Sequence, residues 1–74
     1  MTGFKPLLEP RSVAVVGASA DPKKSGNILL KSILDSGYEG EVYPINPRGG
    51  EILGRKAYPS VLDVPGEIDL GFFL

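Results

Sequence analysis

The chain predicts an α/β fold built on a parallel sheet, and three observations carry that prediction. Val13-Ala14-Val15-Val16 is a continuous apolar run bounded by Ser12 and Gly17. A strand buried on both faces reads this way, whereas a half-exposed strand alternates with polar residues. A loop of small residues follows, then a stretch whose apolar positions recur at the helical period. Two further extended segments complete an order of β, α, β, short connection and β, which is half of a doubly wound sheet.

Residues 1 to 12 read as an irregular lead-in. Pro6 and Pro10 remove backbone donors, while Phe4, Leu7 and Leu8 could pack on the domain edge. Val13 to Val16 is the first strand. From Asn27 to Ser36, Ile28, Leu29, Ile33 and Leu34, with Leu30 beside them, form a helix that no Gly or Pro interrupts. Gly37 suits the left-handed position after its C-cap, Tyr38 can reach back to Ile33, and Ser25 or Gly26 is the candidate N-cap. Glu41 to Ile45 is a second strand, with Pro44 pointing to an edge position or a strand end. Asn46 to Gly50 makes a turn, and Glu51 to Gly54 is a short extended piece. Tyr58 to Val64 is one irregular or helical turn, started by Pro59 and ended by Pro65. Ile68 to Leu74 is the third strand. The second and third strands are expected on one side of the first.

One convincing helix cannot cover both faces of a parallel sheet. Residues 13 to 74 are therefore expected to be the N-terminal part of a larger domain. The 74 residues carry 8 basic and 9 acidic side chains, a net charge of −1 that favours neither nucleic acid nor a membrane surface as partner. Cys and His are both absent, which excludes disulfides, Cys/His metal sites, thiolate nucleophiles and imidazole bases. No apolar run approaches the roughly 20 residues of a membrane span, and Pro6 and Pro10 interrupt any signal-peptide core. A cytoplasmic location is the expectation.

The connection Gly17-Ala18-Ser19-Ala20-Asp21-Pro22-Lys23-Lys24-Ser25-Gly26 is a small-residue loop running into a helix start. Its amides and the helix dipole make a candidate phosphate cradle. Lys23 and Lys24 beside the positive helix end oppose the local electrostatics, which a polyphosphate would reverse. Neither Gly-x-Gly-x-x-Gly nor the Walker pattern is present. Where NAD-binding folds place an acid after the second strand, this chain has Asn46-Pro47-Arg48. A guanidinium there fits a ribose bearing a phosphate, as in coenzyme A or NADP. Tyr43 and Tyr58 read as packing residues. Asp63, Glu67 and Asp69 form no paired-carboxylate site, and Phe72 and Phe73 are expected on opposite faces of the last strand.

Leu8-Glu9-Pro10-Arg11-Ser12-Val13-Ala14-Val15-Val16-Gly17-Ala18-Ser19, Lys24-Ser25-Gly26, Gly37-Tyr38-Glu39-Gly40-Glu41-Val42-Tyr43-Pro44-Ile45-Asn46-Pro47, Ile52-Leu53-Gly54, Tyr58-Pro59-Ser60-Val61 and Ile68-Asp69-Leu70 together resemble the N-terminal CoA-binding domain of NDP-forming acyl-CoA synthetases. More distantly, the chain is similar to the α subunit of succinyl-CoA synthetase. The resemblance implies a Rossmann-like domain that binds CoA or acyl-CoA. Gly17, Ala18 and Ser19 would form its first loop, and Lys24, Ser25 and Gly26 the entry to the helix. In the succinyl-CoA synthetase relatives a lysine in a Pro-Gly-Lys-Gly-Gly turn contacts CoA. Here Pro47-Arg48-Gly49-Gly50 takes that turn with one residue fewer, and Arg48 would take the lysine's role.

The resemblance further implies that acid activation through an acyl phosphate, with a phosphohistidine, ATP or ADP and Mg, belongs to other domains or a second subunit. This segment would catalyse nothing. Two other readings stay open: an NADP-binding half-domain of an oxidoreductase, and a non-catalytic CoA sensor of a protein lysine acetyltransferase.

Overall fold

The computed structural model describes residues 10–74, so the lead-in positions Phe4, Pro6, Leu7 and Leu8 lie outside the described residues. The elements are β1 (Ser12–Val16), α1 (Ser25–Asp35), β2 (Glu41–Ile45), β3 (Glu51–Ile52), β4 (Arg55–Lys56), a 3₁₀ turn (Val61–Asp63) and β5 (Leu70–Phe73). The expected β-α-β order is present.

β1 is the central strand of a three-stranded parallel sheet, with β2 on one edge and β5 on the other. This corrects the expectation that both later strands lie on the same side. The reason lies in β2. Pro44 O accepts from Tyr58 N at 2.9 Å and Asn46 N donates to Tyr58 O at 2.9 Å, so Pro44 turns toward the edge away from β1. The donor it lacks would have been on that outer edge, where a full strand could not pair. Tyr58 closes the edge with a single parallel bridge to Ile45, leaving the free edge of β1 for β5.

The register places Val13 and Val15 beside Val42 and Pro44 on one side, and beside Leu70 and Phe72 on the other. This face packs under α1 in a core that includes Val13, Val15, Ala18, Leu30, Val42, Ile52 and Ala57, with Ile33, Leu34, Tyr38 and Phe72 against it. Leu30 is fully buried, whereas Ile28 is 55% exposed, which reverses the weights expected along the helix. The rotation is set at Gly26, which abuts Gly17 and Ala18. Leu30 and Ile33 follow it by four and seven residues on the same face. Ile28, two residues on, is turned about 200° away.

On the other face Tyr43 packs edge-on against Tyr58, with ring centroids 5.8 Å apart, and Lys56 Nζ sits 5.2 Å from the centre of the Tyr58 ring. The two tyrosines are packing residues, as expected. Phe72 joins the core while Phe73, on the opposite face, is 78% exposed.

At the C-terminus of α1, Gly37 has φ +85 as expected, Ser36 N and Oγ both donate to Ile33 O, and Tyr38 N donates to Ser36 Oγ. Tyr38 Oη donates to Pro10 O at 2.8 Å, tying the helix end to the start of β1. The extended piece expected over Glu51 to Gly54 after the Asn46 to Gly50 turn is shorter, Glu51–Ile52, and forms one arm of a hairpin. Leu53 (φ +51) and Gly54 (φ +78) form its two-residue turn between β3 and β4, the geometry of a type I′ turn.

Candidate functional site

The predicted site residues gather at the C-terminal edge of the parallel sheet, where open α/β folds bind ligands. Gly17, Ala18 and Ser19 leave β1. Lys24, Ser25 and Gly26 begin α1, and Asn46, Pro47 and Arg48 leave β2.

Gly17 has φ +97, and it and Ala18 both donate their amides to Ile45 O, at 3.1 and 3.2 Å. These two donors are therefore spent on the neighbouring strand, which narrows the expected cradle. The role of Gly17 and Ala18 is to lay the loop against the end of β2. Ser19 and Ala20 keep their amides without a protein partner among the described residues. Ser19 Oγ accepts from Asp21 N, and Asp21 Oδ1 from Lys23 N, closing the loop on itself.

The helix start also differs from expectation. Lys24 is the N-cap in extended conformation, in place of Ser25 or Gly26, and its side chain makes no capping bond. Lys24 O accepts from both Asn27 N and Ile28 N. Among the described residues the amides of Ser25 and Gly26 have no protein partner. The first turn contains no acidic residue, so no carboxylate within the helix itself offsets its positive end; Asp21, just ahead of it, accepts from Lys23 N instead. Gly26 cannot be larger, because a β-carbon there would overlap the Gly17 carbonyl. This close helix-to-strand approach is the task of the last glycine in dinucleotide fingerprints. Here the glycines doing the turn and the packing stand nine residues apart, so the fingerprint spacing is absent although both tasks are performed.

Asn46 joins the two loops. Its Nδ2 donates to Ala18 O at 2.8 Å, its Oδ1 accepts from Arg48 N at 2.8 Å, and its carbonyl accepts from Gly49 N at 2.8 Å. Asn27 was not among the expected residues. It is 4% exposed and donates Nδ2 to Ser19 O at 2.9 Å. Its signal in the sequence is a polar residue three positions before Leu30 and seven before Leu34, on the core-facing stripe.

Among the described residues, two clefts open at this edge. One, of about 360 Å³, is lined by Ser19, Ala20, Asn46 and Arg48, and also by Asp21 and Glu51. The Arg48 side chain is exposed and has no ion-pair partner among the described residues. The other, of about 430 Å³, is more apolar and is lined by Val16, Gly17, Ile45, Pro47, Val61 and Phe73 among others. Lys24, Ser25 and Gly26 line neither of these two. Unpaired amides, an unpaired guanidinium and an adjoining apolar trough fit a ligand with a phosphorylated head and a less polar body. Asp21 and Glu51 oppose the anion.

Residues 11–73 match the family model described as CoA binding domain. The α subunit of ADP-forming acetate–CoA ligase I from Pyrococcus furiosus is 52% identical over 68 residues, covering 86% of this chain and 15% of the relative. The ADP-forming 4-hydroxybutyrate–CoA ligase of Nitrosopumilus maritimus is 48% identical, over 88% of this chain and 9% of the relative. Among solved structures, the apo form of dinucleotide-forming acetyl-coenzyme A synthetase 1 from Ca. Korarchaeum cryptofilum superposes with a TM-score of 0.88. It shares 45% identity over 96% of this chain and 16% of that one. The chain thus spans less than a fifth of each of these relatives. Most of its length matches the family model, and its sheet and helix match those of the synthetase, so the chain belongs to the CoA binding domain family.

Proposed function

We propose that this domain binds coenzyme A or acyl-CoA as the CoA module of an ADP-forming acid–CoA ligase. The observation that carries the reading is the family match over residues 11–73, together with relatives that are ADP-forming ligases. The pyrophosphate lies at the first loop and the start of α1, against Ser19, Lys24, Ser25 and Gly26. Gly17 and Ala18 hold that loop in place. Arg48, in the turn with Asn46 and Pro47, faces the ribose 3′-phosphate, and the apolar trough takes a less polar part of the ligand. The segment from Pro10 to Leu74 supplies binding and orientation. Acid activation, ATP or ADP and Mg belong to other domains or a second subunit, and a cytoplasmic setting fits that chemistry.

Calorimetric titration of the chain with CoA, 3′-dephospho-CoA and NADP tests the reading. CoA is expected to bind most tightly, dephospho-CoA more weakly, and NADP without saturation. Saturable NADP binding with none for CoA would replace the proposal by the dinucleotide alternative.

A further inference from the structure

Resting on the reading that this edge receives the CoA pyrophosphate, we infer that Asn27 and Asn46 are positioning residues. Each hooks one carbonyl of the first loop inward and thereby turns the next amide out toward the anion. Asn46 Nδ2 holds Ala18 O at 2.8 Å, and Asn27 Nδ2 holds Ser19 O at 2.9 Å. In a trans peptide unit the C=O and N–H lie in one plane and point in opposite directions. Anchoring Ala18 O therefore sets Ser19 N–H on the opposite side, and anchoring Ser19 O does the same for Ala20 N–H. Neither amide has a protein partner among the described residues, and both residues line the cleft that holds Arg48. Two successive outward amides make a concave donor pair suited to a phosphate oxygen.

The two hooks are held from behind. Asn27 is buried in the first turn of α1, so its side chain cannot swing away without moving the helix. Asn46 is committed at both ends, its oxygen to Arg48 N and its nitrogen to Ala18 O. One side chain thus sets the spacing between the pyrophosphate loop and the turn bearing Arg48. The same contact explains why an amide stands where dinucleotide folds use a carboxylate for the ribose hydroxyls. An aspartate at position 46 would lose the donor and set an oxygen against Ala18 O.

The test uses ¹⁵N-labelled chain titrated with CoA and, separately, with inorganic pyrophosphate. With both ligands the Ser19 and Ala20 amide protons are expected to move downfield, while those of Gly17 and Ala18, already held by Ile45 O, move less. Asn27→Leu and Asn46→Leu keep bulk and remove the donor. Each is expected to weaken both CoA and 3′-dephospho-CoA by about tenfold: Asn27→Leu equally, because both ligands contain the pyrophosphate, and Asn46→Leu somewhat more for CoA, because it also frees the turn bearing Arg48. If pyrophosphate moves Ser19 and Ala20 but CoA does not bind, the inference stands and the CoA reading falls. If CoA binds with the Ser19 and Ala20 amides unmoved, or if folded Leu variants bind as the parent does, the inference is overturned. Should the variants not fold, the shifts in the parent chain decide it.

Discussion

Gly26 of α1 rests directly on the carbonyl of Gly17, with no room for a β-carbon between helix and strand end. The atom in the way belongs to backbone, so relief requires the helix to move off the sheet. Gly26→Ala is expected to destabilise the chain by about 3 kcal/mol, at the upper end for overpacking, and to lower Tm by roughly 12 °C or more. Gly37→Ala is the control. Among the described residues its β-carbon would meet no atom within 4 Å, so its φ of +85 is what opposes the change, at about 1 kcal/mol. Thermal melts followed by circular dichroism should show the larger loss at Gly26, and equal losses would remove the packing argument.

The strands and the helix were legible because their signals are local: Val13 to Val16 for a doubly buried strand, Gly37 for the helix stop, Pro44 for an edge. What the sequence did not disclose depended on contacts between distant segments. The place of β5 on the far side of β1 followed from Tyr58 closing the β2 edge, a pairing with no local signature. At the site, the small-residue loop was legible, but the commitment of the Gly17 and Ala18 amides to Ile45 O was not. Asn27 carries only a weak local signal, because a polar residue at a helix start reads as solvated until its stripe is counted from Leu30.

Leu53 takes φ +51 in the hairpin turn, a conformation that costs a branched side chain about 1 kcal/mol and asparagine or glycine less. Leu53→Asn is therefore expected to raise Tm by less than the roughly 4–8 °C that a full kcal/mol would give, with CoA affinity unchanged. A lower Tm would mean that the leucine side chain contributes more by contact than the backbone loses by strain.

Ser12 is buried at the start of β1, where its Oγ donates to Glu67 O at 2.6 Å and accepts from Asp69 N at 2.9 Å. Asp69 in turn accepts from Arg11 N through Oδ2 at 2.7 Å. This one hydroxyl fixes where β5 begins beside β1. Ser12→Ala leaves a carbonyl and an amide without it, at an expected cost of about 1–3 kcal/mol. Hydrogen exchange at Asp69 and Leu70 should accelerate more than at Val42, on the other edge of the sheet. Uniform acceleration would point to general destabilisation instead.

Among the described residues Arg48 is the one cation lining the polar cleft, and its side chain has no ion-pair partner there. Arg48→Ala is expected to weaken CoA by about tenfold or more, the scale of a charge-assisted bond. Dephospho-CoA, lacking the 3′-phosphate, should lose little. Equal losses for both ligands, measured by calorimetry, would take Arg48 away from the 3′-phosphate.

Glu51 lines the same cleft as Arg48 and is exposed there, so it repels an arriving phosphate while drawing on the guanidinium. Both effects fall on the ligand-free protein's side of the balance and are screened by water, which limits them to about 1 kcal/mol. Glu51→Gln is expected to tighten CoA by roughly twofold to fivefold at low salt. The gain should fade as ionic strength approaches 1 M, where the Debye length is about 3 Å. A salt-independent gain would indicate a reshaped hairpin, and a loss of affinity would mean that the carboxylate orients Arg48 more than it repels the anion.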